Sequence, residues 1–220
     1  MLIQLDFLAV LIDWRMLLKG VAWTVGLTAI ATVIGVAVGI GFAWVRTYGA
    51  AWAKGVVGTY VELLRNTPFI VQLFFVFFGL PAAGVKLSPE VASIIAMVLN
   101  LSAYATEIIR AGIEATPKGQ IEAAQSLALN RRQVFIDVVL PPALKKVWPA
   151  LVAQIIIVML GSAVCGQIST EELSFAANLI QSRNFRAFEA FIIATAIYLC
   201  LSISLRALLN GMGRRYVFKR

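Results

Sequence analysis

Histidine is absent from this chain of 220 residues, cysteine occurs twice, and only 14% of the residues are charged. The first absence removes the commonest imidazole metal ligand and any proton relay built on histidine. Cys165 and Cys200 stand isolated within apolar runs, where they offer no metal-ligand spacing and read as packing residues. No Gly-x-x-x-x-Gly-Lys-Ser/Thr phosphate loop occurs, so ATP chemistry has no seat in this sequence. Clustered catalytic groups are missing too, which argues against a membrane enzyme.

What is present is apolar. Hydrophobic residues make up 60% of the chain and the mean hydropathy is +0.88, against about 45–50% apolar and about 25% charged in soluble domains. A protein whose outside faces lipid needs that surface; a soluble core of this size does not. At about 20 residues per span, the length holds several helices and modest loops in one domain covering residues 1–220. The net charge of +8 sits in the gaps between apolar runs. That position suits topology-setting loops rather than nucleic acid.

Five runs read as membrane-spanning helices, at about 18–44, 57–80, 91–111, 147–168 and 187–209. Gly35 and Gly39 in the first have the small-xxx-small spacing that lets helices approach closely. Pro68 predicts a kink in the second, and Pro81, Gly84, Ser88 and Pro89 a turn after it. Residues 1–6 lack the basic region of a cleaved signal. Residues 1–17 are therefore expected to form a short interfacial helix, with the first span doubling as an uncleaved insertion signal.

An outside N-terminus and five spans leave the C-terminus inside. The inner segments then hold Arg46, Lys54, Arg65, Arg110, Lys118, Arg131, Arg132, Lys145, Lys146, Arg206, Arg214, Arg215, Lys219 and Arg220, fourteen of the 19 basic residues. Arg15, Lys19, Lys86, Arg183 and Arg186 lie outside. The positive-inside rule selects this orientation over its reverse.

The gap between spans three and four, residues 112–146, is too long for a simple connector and faces the cytoplasm in this orientation. Residues 120–129 are nearly all helix formers. Asn130 can cap a second helix from Arg131 to about Val139, which Leu140, Pro141 and Pro142 are expected to end. Small Ala123 and Ala124 beside Glu122 suit docking into a groove on another protein, although a solvated amphipathic loop would look similar.

Glu122-Ala123-Ala124, then Leu127, and Val138-Val139-Leu140-Pro141 resemble the cytoplasmic EAA motif of ABC importer permeases. Arg65-Asn66-Thr67-Pro68 with the aromatic-rich stretch from Gln72 to Pro81 resembles span two of the polar amino acid branch. Asn100 to Tyr104, Glu107, Arg110 to Ile113, Lys118 to Gln120, and Ser182 to Glu189 extend the resemblance over about residues 17–210. It implies an all-α permease of the type I importer kind, located in the inner membrane of a bacterial-type cell. It also implies a polar or charged amino acid as cargo, and partners in an ABC ATPase subunit, a second permease and an extracytoplasmic binding protein. ATP and Mg would belong to the ATPase, with no catalytic, metal or cofactor site in this chain. Gly119, Gln120, Glu122, Ala123, Ala124, Leu127, Ala128, Leu140 and Pro141 would couple to the ATPase.

The chain departs from the family pattern twice. Ala128 stands where relatives usually carry glycine, so the bend after the EAA helix is expected to be less sharp. Gly161-Ser162-Ala163 replaces an acidic residue followed by Thr-Ser in span four, which favours a heterodimer with a permease that retains the acid.

Polar residues within spans are costly and face the protein interior or a water-filled path. Glu107 with Arg110, and Glu62 with Arg65, fit either structural ion pairs or a polar wall of the translocation path. Asn100, Tyr104, Gln154 and Ser162 fit either transient substrate contacts or helix-to-helix hydrogen bonds. Phe74, Phe75, Phe77 and Phe78 read as lipid-facing or packing residues. A self-sufficient ion-driven transporter or channel is the alternative function. It would need internal repeats or broken spans with polar midplane sites, and it leaves residues 112–146 unexplained.

Overall fold

In lipid every backbone N–H and C=O must bond within its own segment, so apolar runs of this length become helices. The computed structural model describes residues 5–217, and helices are the only regular elements among them. In chain order they are α1 (Leu8–Leu11), α2 (Trp14–Tyr48), α3 (Ala51–Arg65), α4 (Phe69–Phe74), α5 (Leu80–Ala82), α6 (Pro89–Glu114), α7 (Lys118–Ser126), α8 (Arg131–Gln133), α9 (Leu140–Gly161), α10 (Leu173–Asn184) and α11 (Ala187–Met212). Wider π-turns occupy Phe75–Gly79, Val134–Val139 and Gly213–Val217, and a tight 3-10 helix extends α9 over Ser162–Ile168.

Four stretches are long and apolar enough to cross a membrane: Trp14–Tyr48, Pro89–Glu114, Arg131–Ile168 and Ala187–Val217. The pair Ala51–Arg65 and Phe69–Ala82, bent by 110° at the break between them, passes the same test only when taken together, which gives four to five candidate spans. The expected five spans are the upper end of that count, and several boundaries move. Residues 1–17 do not form one helix: α1 has four residues and α2 already begins at Trp14, while residues 1–4 lie outside the described part. At 35 residues α2 is about 52 Å long, well beyond the roughly 30 Å hydrocarbon core.

The second run is broken rather than kinked. Pro68 has no N–H and biases Thr67 away from helical backbone, so α3 ends at Arg65. Asn66 Nδ2 donates to the Glu62 carbonyl at 2.8 Å and Thr67 Oγ1 to the Leu63 carbonyl at 2.8 Å, satisfying two terminal acceptors. The opposite correction applies before span four. Pro141 and Pro142 do not end the helix that starts at Arg131; the chain stays helical through the Val134–Val139 π-turn into α9. A π-turn widens the helix where a proline ring would otherwise meet the preceding carbonyls.

The chain divides into two compact units. The first comprises residues through Ala31, Pro68–Val98 and Ile156–Leu205. Its core gathers Val10, Leu17, Leu173, Ala176, Ile180 and Ala190. The second comprises Thr32–Thr67, Leu99–Ile155 and the residues from Arg206 onward. There Ala43, Ala105, Ile109, Ile113, Phe135 and Val139 are among the residues forming the core. Within the second unit α2 and α6 meet at the two expected glycines. A Cβ on Gly39 would stand 2.6 Å from the Ala105 Cβ, and one on Gly35 3.1 Å from Leu101.

Candidate functional site

The residues of the EAA resemblance build one surface of the second unit. Pro117 starts α7 with extended backbone, and the helix rests on the Val134–Val139 π-turn. Ala124 is buried, and Ile121 and Leu129 are partly buried, against a cluster that includes Ile113, Phe135 and Val139. Gly119, Gln120, Glu122, Ala123 and Leu127 are exposed, with Leu127 at 76%. The two alanines therefore divide the work, Ala124 seating the helix and Ala123 leaving its outer face flat. The Glu122 carboxylate makes no ion pair among the described residues.

The bend after α7 is complete despite alanine. Ala128 takes a left-handed φ of 58°. Its N–H donates to the Gln125 carbonyl at 2.9 Å, and the Leu129 N–H donates to Ala124 at 3.3 Å. This pairing of two reverse bonds is a Schellman turn, which corrects the expectation of a gentler bend. Asn130 caps α8 as expected: its side chain accepts from the Gln133 N–H at 2.9 Å while the Gln133 side chain accepts from the Asn130 N–H at 2.9 Å. Leu140 and Pro141 follow at the start of α9, both half-buried.

The candidate path residues separate. Glu107 lies in an ionic network of the second unit. Arg110 donates to it through Nη2 at 2.8 Å and Nε at 3.1 Å, and also bonds Glu114. Arg46, expected only as a topology charge, reaches Glu107 at 3.6 Å and the Lys54 carbonyl at 3.4 Å. Arg46 thus ties the Glu107–Arg110 pair of α6 to α2, and its bond to the Lys54 carbonyl reaches α3. Glu62 and Arg65 form no such pair. Arg65 instead lies over the Tyr104 ring, 5.4 Å from its centroid, and the Tyr104 hydroxyl donates to the Arg65 carbonyl at 3.4 Å. Glu62 is exposed, and Asn100 and Gln154 are half-buried.

Ser162 belongs to the first unit, is fully buried, and turns its hydroxyl back to the Met159 carbonyl at 2.7 Å. The same unit holds a carboxylate that the sequence reading passed over. Glu172 is 0% exposed and caps α10, accepting from the N–H groups of Phe175 at 2.7 Å and Ser174 at 2.9 Å. The Tyr198 hydroxyl donates to it at 2.5 Å. Burial pushes the Glu172 carboxyl above its ordinary range, against these three donors, which favour its ionised form. The available signal was an acidic residue directly before a helix-forming stretch, hidden beside its neighbour Glu171. Among the described residues, Phe75 and Phe78 are the most exposed of the aromatic cluster, with Phe74 5.6 Å and Phe77 4.9 Å from Phe78.

Comparison with known proteins fits this arrangement. The family described as "Binding-protein-dependent transport system inner membrane component" matches residues 14–217. The chain is 30% identical over 214 residues to the glutamine transport system permease protein GlnP of Escherichia coli (strain K12), covering 96% of this chain and 98% of that one. It is 34% identical over 210 residues to the L-cystine transport system permease protein TcyB of Bacillus subtilis (strain 168), covering 94% and 90%. A crystal structure of an amino acid ABC transporter with histidines matches with a TM-score of 0.86 and 35% identity, covering 97% of this chain and 100% of that chain.

Proposed function

This chain belongs to the family of binding-protein-dependent transport system inner membrane components, and on that footing we propose that it forms the translocation path for a polar or charged amino acid. An extracytoplasmic binding protein delivers the cargo, and a separate ABC ATPase subunit supplies ATP hydrolysis with its own Mg. Relatives that carry glutamine and cystine support an amino acid cargo.

The observation that carries the coupling role is the build of α7. The helix is seated by Ala124 and fixed by the Ala128 turn, yet it presents Gly119, Gln120, Ala123 and Leu127 with an unpaired Glu122. A rigid helix with a flat, small-residue face and one free charge transmits displacement rather than absorbing it. Leu140 and Pro141 sit where the segment enters α9, so a push on α7 passes through the π-turn into a membrane-spanning helix. Alternating access then follows as two packed arrangements biased by ATP on the partner. The broken second run gives no support to a self-sufficient ion transporter: Asn66 and Thr67 at the break are bonded to their own helix end.

Glu122→Lys reverses the charge on the exposed face and leaves the seating contacts intact. We expect normal insertion with ATPase association weakened by about 2 kcal/mol or more, roughly 30-fold. Unchanged substrate-stimulated ATP turnover in the assembled complex would falsify the coupling assignment. Orientation rests on the basic-residue asymmetry, with the N-terminus outside and α7 in the cytoplasm. A cysteine replacing exposed Lys86 should be labelled by an impermeant reagent on intact cells, and one replacing exposed Lys118 only after the inner face is opened. Labelling of Lys86→Cys solely from the inside reverses the topology.

A further inference from the structure

The C-terminal π-turn Gly213–Val217 folds back within the second unit onto the first turns of α9. Gly213 permits the approach: a Cβ there would fall on the indole nitrogen of Trp148. The two segments enclose a groove of about 210 Å³ lined by Leu140, Pro141, Leu144, Tyr216 and Val217. Its walls are hydrocarbon apart from the Tyr216 hydroxyl and backbone.

Four cations adjoin the lining residues of this groove in the sequence. Lys145 and Lys146 follow Leu144 directly, and Lys145 shares the face of α9 that carries Pro141 and Trp148 by the four- and three-residue helical spacing. Arg214 and Arg215 precede Tyr216, and the Arg215 guanidinium lies 5.6 Å from the Tyr216 ring centroid. Lys146, Arg214 and Arg215 are exposed and Lys145 is half-buried. None of the four makes an ion pair among the described residues. The sequence also holds no acidic residue in 138–170 or in 190–220, so nothing on α9 or α11 past Glu189 can neutralise them. Asp137, exposed on the preceding π-turn, is the nearest acid along the chain.

A hydrocarbon groove with four cations and a single acid, Asp137, on the adjoining segments selects a ligand that is both apolar and anionic. A soluble anion would leave the groove empty, and a zwitterionic lipid would leave the cations unmatched. We propose that this groove binds an anionic phospholipid, with an acyl chain along Leu140, Leu144 and Tyr216 and the phosphate headgroup between Lys145, Lys146, Arg214 and Arg215. Tyrosine at the mouth suits the membrane interface, and basic clusters next to spans attract anionic headgroups by about fivefold per residue. The site requires only that the chain is embedded in a membrane and does not depend on the cargo, although it shares Leu140 and Pro141 with the proposed coupling segment.

The test uses the full-length chain purified in detergent and equilibrated with equal amounts of phosphatidylglycerol and phosphatidylcholine. Native mass spectrometry then counts the phospholipid that stays bound. The wild-type chain should retain phosphatidylglycerol in preference, and the variant Lys145→Gln/Lys146→Gln/Arg214→Gln/Arg215→Gln should lose that preference by about tenfold or more. Lys86→Gln/Arg183→Gln, which removes two cations elsewhere, should leave it unchanged. Tyr216→Ser should weaken phosphatidylglycerol retention while the soluble headgroup glycerophosphoglycerol fails to compete. If the quadruple variant does not fold, high salt on the wild-type chain should abolish the same preference by screening. Equal retention of the two lipids by the wild type overturns the proposal. So does a preference untouched by both the four substitutions and salt, or full competition by the soluble headgroup.

Discussion

A carboxylate without exposed surface begins α10, and its charge state is set by opposing effects. Burial raises the Glu172 pKa from an ordinary value of 4.5, while Tyr198 and the two capping N–H groups pull the other way and only partly offset it. The raised native value means that the folded chain binds a proton more readily than the unfolded chain. Stability from this group is therefore fully present below about pH 4.5 and is lost as pH rises through the raised native pKa. No Lys or Arg pairs with Glu172 among the described residues, so no cation reverses the sign. Thermal unfolding in detergent, followed from acidic to neutral pH, should show this loss with a slope of at most about 1.4 kcal/mol per pH unit. Glu172→Gln should flatten it, and an identical slope in the variant would assign the dependence elsewhere.

Ala128 teaches a different lesson about reading single residues. A left-handed alanine costs about 1–2 kcal/mol, which is why alanine in a glycine position suggested a gentler bend. Two reverse hydrogen bonds and the burial of Leu129 against the cluster under α7 outweigh that cost. The EAA residues were legible through their resemblance to the family motif, since their types alone fit a solvated amphipathic loop as well. The partners of Arg46, Arg65 and Tyr104 were not, because they come from other helices and no spacing along one helix encodes them.

Helix packing explains which elements could be read from the sequence. Gly39 admits α6 to contact, whereas a Cβ on Gly26 of the same helix would meet nothing within 4 Å. Gly39→Ala should therefore cost about 1–3 kcal/mol through overpacking against Ala105. Gly26→Ala should be neutral or gain about 0.5–1 kcal/mol from helix propensity. Denaturation of the detergent-solubilised variants separates the two, and equal stabilities would remove the glycine contact as the reason for the spacing. Four of the five apolar runs coincide with helices long and apolar enough to cross a membrane, because hydropathy measures the solvent a helix must meet. It does not register a π-turn, so the continuation through Pro141 and Pro142 was missed. Nor does it register α10, whose twelve residues mix Ser174, Asn178 and Gln181 with apolar neighbours and fall short of a span.

At the scale of the whole molecule, the question is which side chains can meet a charged substrate. The expected candidates are largely committed within the chain. Glu107 is tied to Arg110 and Arg46, Tyr104 to Arg65, and Ser162 to its own helix backbone. Gly161, at the position where the family resemblance implies an acidic residue, adds no side chain at all, and a Cβ there would meet nothing within 4 Å. Two identical copies would lack an acid at this position twice, leaving half-buried Gln154 and exposed Glu62 as the remaining candidates for an amino acid whose ammonium group is costly to strip of water without a counter-charge. A related second permease that keeps the acid would remove that cost, so the assembly is expected to be a heterodimer. Co-expression of this chain with only its ATPase and binding protein should give little ATP-driven uptake in vesicles, and adding the related permease should restore it. Installing Gly161→Asp in the minimal set supplies the complementary measurement: uptake should rise if the missing carboxylate is the defect. Full uptake by the unmodified minimal set would mean that a homodimer suffices and that the substrate's charge is met by groups other than an acid at this position.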